Sequence, residues 1–413
     1  MNSVLFTGIS VGKLGLRNRL VRSATYEGAA NSDGLVGDEY CNMYEELARG
    51  SVGMIITGYT FTSRSGRAMQ PFQAGLDCQE KVAAYRKVTQ AVHAHNTPII
   101  LQLSHAGRQS LSAMTGCRLV SSTRKASIYF RRRPRRLRNG EVRTIVNEFA
   151  IAAARAREAG FDGVQVHAAH GYLVHQFLMK HTNQLNGEFG IDNVTGIGTA
   201  FLDSVIDRMR DMCGSDYPIL VKISGAMDSD ARFFPERFDR LIAFLDRKRL
   251  AAIEISYGSM DYPLNIFRGD VPLNLALGHN PLFQSRSRLG RILRIVGFNF
   301  RIRPHLLPFS PMYNLMYASR AKRISDIPII SVGGFRRKSD METAIACGNT
   351  DLIAMSRPFL READFAAAMM RAENDHTSRC TNCNQCVAMC DAGCVTKCHN
   401  KNSTPKYNTS TER

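Results

Sequence analysis

Short apolar runs alternate with amphipathic stretches along most of this 413-residue chain, and the alternation constrains the fold more than any other feature. Runs of this kind predict buried strands, and the stretches between them predict helices with one apolar face. Eight runs fit the description: Arg19–Ser23, Gly53–Gly58, Pro98–Leu103, Asp162–His167, Pro218–Ser224, Ala251–Ser256, Pro328–Gly333 and Asp351–Ser356. Eight strand–helix units predict an α/β fold, a (β/α)8 TIM barrel over residues 1–372. A short cysteine-rich tail over residues 373–413 would follow it.

The clearest helical patterns lie at Glu141–Ala159 and Thr199–Met212, where apolar residues recur every three or four positions. A glycine follows each pattern and is typical of a helix end. Two connections are long, Ser104–Asn139 after the third strand and Tyr257–Pro311 after the sixth. Long structureless segments in a compact domain are usually functional loops, so we expect both to overhang the mouth of the barrel.

The net charge of +18 raises the expectation of an anionic partner, such as nucleic acid, an anionic membrane or an anionic substrate. Arginines concentrate at Arg131–Arg138 and around Arg286–Arg303, either to bind an anionic substrate or a nicotinamide donor, or as solvated surface charge. Aromatic residues do not interleave with the first run, so nucleic-acid binding is not expected. Because the chain has no membrane-spanning run and no secretory signal, we expect a cytoplasmic protein without a membrane partner. We also expect the protein to form a homo-oligomer.

Titratable residues gather where the fourth predicted strand ends. In GFDGVQVHAAHGYLVHQFL (residues 160–178), His167 ends the strand, and His170 and Tyr172 follow within five positions. Catalytic groups of a TIM barrel lie at the carboxyl ends of its strands and in the loops that follow. Two histidines beside a tyrosine at one strand end therefore favour an active site over buried structural histidines.

The ends of other strands predict a place for a phosphorylated ligand. Four residues follow the seventh and eighth strands, where TIM barrels commonly bind phosphate: Gly333, Gly334, Ser356 and Arg357. Glycine N–H groups and a guanidinium suit an anion. Gln102, on the third strand, can hydrogen-bond the edge of a heterocycle. Lys222, on the fifth, could stabilise charge on a flavin or form a Schiff base.

Six sequence blocks follow one another along the chain: LRNRLVRSATYEG (16–28), ILQLSHAGR (100–108), GFDGVQVHAAHGYLVHQFL (160–178), LVKIS (220–224), PIISVGGF (328–335) and DLIAMSRPFL (351–360). In this order, the blocks resemble the Old Yellow Enzyme family of NADH:flavin oxidoreductases. The barrel is also similar to that of 2,4-dienoyl-CoA reductase. The resemblance implies a TIM barrel that holds FMN and takes its reducing equivalents from NAD(P)H.

The resemblance also implies a role for each candidate residue. The FMN phosphate would lie on Gly333, Gly334, Ser356 and Arg357, and the ring and ribityl chain would contact Ser23, Ala24, Thr25, Gly58, Gln102 and Lys222. Tyr26, His167 and His170 would bind the substrate, and Tyr172 would donate a proton. The implied reaction is hydride transfer from the flavin to an α,β-unsaturated carbonyl-type acceptor. The alternative is flavin-dependent amine demethylation, or electron transfer to a partner protein through a C-terminal iron–sulfur cluster.

Six of the eleven cysteines lie between Cys380 and Cys398. The candidate ligands are Cys380, Cys383, Cys386, Cys390 and Cys398. The first four have the spacing of a ferredoxin run, with Asp391 in place of the usual proline. A second possible quartet takes Cys398 instead of Cys390. A [4Fe–4S] cluster, zinc and a reduced tail without metal all remain open.

The segment Met179–Gly198 departs from the family pattern that the preceding block follows. Phe189 stands where the family usually has a tyrosine, and the usual Asn-Arg pair does not occur. The sequence therefore does not predict how this loop beside the active site is braced.

Overall fold

A computed structural model describes residues 3–226, 235–285 and 287–400. Eight parallel strands close into a barrel: Leu20–Arg22, Met54–Ile56, Ile99–Ser104, Gly163–Ala168, Ile219–Ser224, Ala252–Ser256, Ile329–Val332 and Leu352–Met355. Each strand pairs with the next, and the ring closes where Ile353 on the eighth lies opposite Leu20 on the first. Each strand overlaps the run predicted for it, so the TIM barrel is confirmed.

Helices connect the strands and cover the outside of the barrel. The α-helices of the described residues are Asp38–Arg49, Val82–His93, Ser112–Thr115, Asn139–Glu158, Leu173–Leu178, Ala200–Cys213, Pro235–Arg247, Pro263–Ile266, Leu273–His279, Arg288–Arg301, Leu315–Lys322, Lys338–Ala346, Arg357–Arg361, Phe365–Arg371 and Gln385–Asp391. Both predicted helices form, and they pack together through Phe149 and Phe201, whose ring centroids are 6.4 Å apart. Gly160 and Gly214 follow them with φ of +88° and +83°, which explains the glycines.

The amino end of the barrel is closed by an apolar core. Side chains from alternate strand positions meet there, with Val21, Ile56, Ile100, Leu220, Ile330 and Leu352 among them. A hairpin of Ile9–Val11 and Leu14–Leu16 adds Val11 and Leu16 to the same cluster. Because apolar residues fill this end, the carboxyl end is left for polar side chains.

The expectation that the two long connections are structureless is wrong. The first contains the Ser112–Thr115 helix and a pairing of Val120–Ser121 with Arg135–Arg136. In the described residues of the second there are three α-helices, of which Arg288–Arg301 is the longest, and one short 3-10 helix. The apolar residues of the Arg288–Arg301 helix have helical spacing, but the arginines around them favour the interpretation of the segment as a charged loop.

The cysteine-rich tail packs on the barrel as far as residue 400. The N–H of Thr396 donates to the carbonyl of Glu27 at 2.7 Å, and the N–H of Ser378 donates to the carbonyl of Arg336 at 3.0 Å. The boundary at residue 372 remains a prediction. Within the described ranges, no helix is both long and apolar enough to cross a bilayer.

Candidate active site

A layer of buried polar side chains lies across the barrel above its apolar core. The ammonium of Lys222 donates to Glu254 Oε1 at 2.9 Å and to Ser23 Oγ at 3.0 Å. Gln165 donates to the other Glu254 oxygen at 2.8 Å, and Gln102 donates to Gln165 at 2.6 Å. The predicted Ser23, Gln102 and Lys222 are thus brought together, and two of the three N–H donors of the lysine are used.

Two further members of the polar layer, Glu254 and Gln165, were not identified from the sequence. Both are fully buried in the structure. Glu254 interrupts the apolar strand Ala252–Ser256, and Gln165 interrupts Gly163–Ala168. A polar residue at an inward position of a buried strand needs a hydrogen-bonding partner, and this signal could have located both.

His167, His170 and Tyr172 meet at the end of the fourth strand, as predicted. The ring centroid of His167 lies 4.9 Å from that of His170 and 4.9 Å from that of Tyr172. Tyr59 adds a fourth ring, 5.5 Å from Tyr172. The two imidazoles and the phenol therefore face one small volume.

A left-handed turn sets this geometry. His170 has φ of +59° and Gly171 has φ of +74°, a backbone region that side chains with a Cβ rarely adopt. The hydroxyl of Ser224 accepts from the His170 N–H at 3.1 Å, and the His170 carbonyl accepts from the Met260 N–H at 2.9 Å. A Cβ on Gly171 would lie 2.5 Å from Ser259 Oγ, so only glycine fits.

The titratable groups of the cluster are neutral near pH 7. Burial lowers the pKa of both His167 and His170 well below the usual value, and the positive charge of Lys222 acts in the same direction. Burial raises the pKa of Tyr172 above its usual value, although a hydrogen bond with Tyr59 opposes the rise. The cluster thus holds uncharged imidazoles beside a protonated phenol.

One buried polar atom at the site, Nδ1 of His167, has no hydrogen-bond partner among the described residues. The Nε2 atom of His170, in contrast, lies 2.8 Å from the hydroxyl of Ser256. Because buried polar groups normally have partners, the unpaired nitrogen of His167 indicates a polar ligand at this position.

The residues predicted to bind an anion lie in the loops after the seventh and eighth strands. Gly333 and Gly334 have φ of +131° and +82°, and a Cβ on either would lie 2.6 Å from a neighbouring atom. Arg357 Nη1 donates to the carbonyls of Phe267 and Arg268 and to Asn384 Oδ1, at 2.8, 3.0 and 2.7 Å. A phosphate here would be bound by the other nitrogens of that guanidinium.

Arg268 is a second cation at this site and was not identified from the sequence. Its guanidinium carbon lies 4.4 Å from the ring centroid of Tyr313, the residue whose ring crowds Gly333. Its Nε atom is buried and has no hydrogen-bond partner among the described residues. An unpaired guanidinium nitrogen beside two glycines fits an anionic group.

The loop after the first strand is tied to a buried network. Gly58 N–H donates to Glu27 Oε1 at 2.7 Å, and Tyr44 donates to the same carboxyl. Thr25 Oγ1 accepts from the buried guanidinium of Arg22. Ala24 lies between these residues and packs on the apolar core of the barrel. Gly58 is a glycine because a Cβ would meet the Glu27 carboxyl, a constraint independent of any ligand.

Asn183 and Phe189 brace the loop that follows the site. Asn183 Nδ2 donates to the carbonyls of Phe177 and Phe189 at 2.9 and 2.8 Å. Phe189 is buried against Phe177, with ring centroids 6.5 Å apart. Asn183 therefore fixes a loop whose bracing the sequence did not predict.

The tail contributes to the mouth of the site. Asp391 accepts from Gln70 Nε2 at 3.2 Å, from Tyr129 OH at 3.0 Å and from Asn280 Nδ2 at 3.0 Å. We call these four residues the Asp391 clasp. Burial raises the pKa of Asp391 to about 6, and its hydrogen bonds only partly offset this effect. The negative charge of Asp391 also raises the pKa of Tyr26 and of Tyr172, so the clasp lies close to the active site.

The tail cysteines lie close enough to influence one another. Burial raises the pKa of the Cys386 thiol to about 12; Arg357 opposes the rise, and the neighbouring thiols of Cys380, Cys383 and Cys398 add to it. Burial also raises the pKa of Cys390, and Asp391 and, to a smaller extent, Cys386 add to that rise. In the described part of the chain, no three His, Cys, Asp or Glu side chains are arranged to hold a single metal ion.

The polar layer, the histidine–tyrosine cluster and the glycine and arginine loops together define a TIM-barrel protein with a candidate ligand site at the carboxyl ends of its strands. The sequence model of the NADH:flavin oxidoreductase / NADH oxidase family matches residues 4–239, more than half of the chain. The chain therefore belongs to this family, and the resemblance to Old Yellow Enzyme is confirmed.

Relatives agree with this assignment. The chain is 26% identical to an NADH oxidase of Thermoanaerobacter brockii over 381 residues, which are 92% of this chain and 52% of the relative. Its fold matches 2-naphthoyl-CoA reductase with a TM-score of 0.79 at 20% identity, covering 96% of this chain and 56% of the other. It matches an Old Yellow Enzyme homologue from Zymomonas mobilis with a TM-score of 0.70 at 22% identity, covering 91% and 94%. The chain thus spans about half the length of the first two.

Proposed function

We propose that this protein is an FMN-dependent oxidoreductase that uses NAD(P)H to reduce an α,β-unsaturated carbonyl compound. The observation that carries the proposal is the cluster of His167, His170 and Tyr172, in which a buried imidazole nitrogen lacks a partner. Membership of the NADH:flavin oxidoreductase family supports the flavin and the nicotinamide donor.

The residues present fit FMN. The phosphate would be held by Gly333, Gly334, Ser356 and Arg357, with Arg268 as an additional cation, and the ring and ribityl chain by Ser23, Ala24, Thr25, Gly58, Gln102 and Lys222. No acceptor among the described residues takes the third N–H of Lys222, which is the donor available to the ring. When bound, the flavin supplies the hydride that reduces the acceptor.

His167 and His170 bind the carbonyl oxygen of the acceptor. Both imidazoles are neutral, so each can donate one N–H without bringing a full positive charge into the site. The oxygen becomes more negative as the double bond is reduced, and preorganised donors stabilise that charge by about 3 kcal/mol each. The left-handed turn at His170 holds its ring toward His167 before the substrate arrives.

Tyr172 donates the proton that completes the reduction. Its raised pKa keeps the hydroxyl protonated at neutral pH, and its ring packs beside the His167 ring that binds the acceptor. Tyr26 lies on the same side, with its ring centroid 6.0 Å from that of Tyr59, and lines the substrate pocket.

The optical spectrum of the purified protein tests the proposal. We expect flavin absorbance that is bleached by NADPH or NADH under anaerobic conditions and restored by 2-cyclohexenone. Absence of flavin after reconstitution with FMN would refute the cofactor. Bleaching by a tertiary amine, without reoxidation by the enone, would establish the amine demethylase alternative instead.

A second cofactor is favoured by the tail cysteines. Cys380, Cys383 and Cys398 are the thiols that add to the raised pKa of the buried Cys386, and Arg336 donates to the Cys380 sulfur at 3.3 Å. A four-iron cluster needs its thiolates spread around a cube rather than around one ion, and a nearby cation would offset its negative charge. We propose that these four, and not Cys390, ligate a [4Fe–4S] cluster that passes electrons to a partner protein. Iron content should fall in Cys383→Ser and be kept in Cys390→Ser; equal iron in both would refute the assignment.

A further inference from the structure

The Arg288–Arg301 helix presents its apolar side chains to solvent. None of its residues is buried. Five large apolar residues are exposed: Leu289 by 67%, Ile292 by 57%, Leu293 by 63%, Val296 by 46% and Phe300 by 79%. Their spacing of three or four positions places them on one face of the helix. A contiguous apolar stripe on a surface marks an interaction site.

Arginines flank this stripe, and no acidic residue lies near them in the sequence. Between Val271 and Ser325 the sequence contains nine arginines and lysines and no aspartate or glutamate. On the helix and in the turn after it, four arginines are exposed: Arg288, Arg294, Arg301 and Arg303. None of the four forms an ion pair with a carboxylate of the described residues. The partner of the stripe must therefore be apolar at its centre and negative around it.

The segments on either side of the helix are anchored to the barrel. On the amino side, Phe283 packs against Tyr129 with ring centroids 5.1 Å apart. On the carboxyl side, Asn265 donates to the His305 carbonyl at 2.8 Å, and the rings of Tyr262 and His305 are 5.1 Å apart. The helix belongs to the connection after the sixth strand, so it lies at the mouth end of the barrel.

A second basic segment lies on the same side of the molecule. Arg131, Arg132 and Arg133 are exposed and begin two positions after Tyr129, the residue that contacts Phe283. Their segment belongs to the connection after the third strand, so it also leaves the mouth end. Much of the net charge of +18 is thus distributed around one end of the barrel.

We propose that the Arg288–Arg301 helix binds the surface of an anionic lipid bilayer, with its apolar stripe among the acyl chains and its arginines at the phosphates. Helices with an apolar face and arginines at its borders lie in the bilayer interface in this way. A second copy of this chain is a poor occupant, because two-fold pairing would oppose the arginines of the two helices. Nucleic acid would leave the apolar stripe in water.

The proposal revises the expectation that no membrane partner exists. That expectation relied on the absence of a membrane-spanning run, and an interfacial helix needs no such run. The inference does not depend on the proposed reaction, since its test measures binding and not turnover.

Sedimentation with lipid vesicles tests the proposal on the 413-residue chain. We expect binding to vesicles of phosphatidylcholine with 30% phosphatidylserine, and little binding to phosphatidylcholine alone. Leu293→Ser with Phe300→Ser should weaken binding at least about tenfold. Arg294→Gln with Arg301→Gln should weaken it by about fivefold for each arginine, and 0.5 M salt should have a similar effect.

Met212→Ser with Met370→Ser, which removes exposed apolar residues elsewhere, should bind as the wild type does. No binding to anionic vesicles, or equal binding by the Leu293/Phe300 variant, would overturn the proposal.

The absence of tryptophan from the chain allows a test specific to the helix. Phe300→Trp gives one tryptophan on the apolar stripe, and its emission should shift to the blue only when anionic vesicles are added. A blue shift that instead follows protein concentration without lipid would identify a second copy as the partner and overturn the proposal. A shift on adding single-stranded DNA but not vesicles would overturn it in favour of nucleic acid.

Discussion

The ammonium of Lys222 lies 2.9 Å from Glu254 Oε1, and neither side chain is more than 4% exposed. Register places the two residues opposite each other on neighbouring strands, with His167 on the other side of Lys222. In this buried ion pair, the negative charge of Glu254 balances the positive charge of Lys222. Two acceptors among the described residues take N–H groups of the lysine, so the third is available for a ligand. Ser23 and Gln165 provide the hydrogen bonds that such a pair needs.

Removing one member of the Lys222–Glu254 ion pair should destabilise the protein. Lys222→Met leaves the Glu254 carboxylate buried without its cation, and we expect unfolding free energy to fall by about 3–5 kcal/mol. Lys222→Met with Glu254→Gln removes both charges and should recover part of the loss. Urea unfolding of the single and double variants measures the effect, and a double variant as unstable as the sum of the single variants would contradict the pairing.

Removing the Tyr172 hydroxyl should separate the two half-reactions. In Tyr172→Phe we expect enone reduction to fall about 100- to 10,000-fold, since a general acid contributes that much. Reduction of the flavin by NADPH should keep its rate, because no proton from Tyr172 is needed there. Stopped-flow measurement of each half-reaction provides the test.

Tyr217→Phe is the matched control, because its hydroxyl donates to the Phe161 carbonyl at 3.1 Å, in the connection that precedes the fourth strand rather than the one that follows it. Unchanged enone reduction in Tyr172→Phe would show that another group donates the proton.

The contribution of Asp391 to the unfolding free energy should decrease as the pH rises. The pKa of Asp391 is about 6 in the folded protein and 3.8 as its ordinary value, so the folded protein holds the proton more tightly. Unfolding free energy contributed by this group therefore falls between about pH 4 and pH 6 and stays low above that. Asp391→Asn should thus gain about 2–3 kcal/mol relative to wild type between pH 4 and pH 7.5.

Asp192 provides a control of opposite sign. Hydrogen bonds from the Thr195 N–H and hydroxyl lower the pKa of this exposed carboxyl, so its contribution is present at neutral pH and lost in acid. Asp192→Asn should therefore be less stable than wild type at pH 7.5 but not at low pH. The same direction of change in both variants would refute the assignment for Asp391.

Two glycine substitutions should separate backbone strain from steric clash. Gly171 and Gly187 have nearly equal φ, +74° and +72°, but an added Cβ meets Ser259 Oγ only at Gly171. Gly187→Ala should cost about 1–2 kcal/mol from strain alone, and Gly171→Ala clearly more. Thermal unfolding measures both. We also expect Gly171→Ala to lose enone turnover, since the turn orients His170; normal turnover would contradict that role.

The sequence predicted the barrel because strand and helix periods are local properties of short segments. It also placed His167, His170 and Tyr172 together, since all three lie within six positions. Arg268 was not predicted, because it reaches the anion site from a connection whose path depends on tertiary contacts. The outward face of the Arg288–Arg301 helix was missed for a related reason, since periodicity reports that a helix is amphipathic but not which way it faces.

The Asp391 clasp has a consequence for the order of folding. Its hydrogen bond between Gln70 and Asp391 joins residues 321 positions apart, and its other members come from two further connections. The pairing of Leu20 with Ile353 that closes the barrel spans a similar separation, but the last barrel strand ends at Met355, before the tail begins. On the ribosome, the barrel strands therefore emerge before the tail, and the clasp can be completed only after synthesis has passed residue 391. A chain that stalls between residues 356 and 390 would contain all eight barrel strands but would lack Asp391.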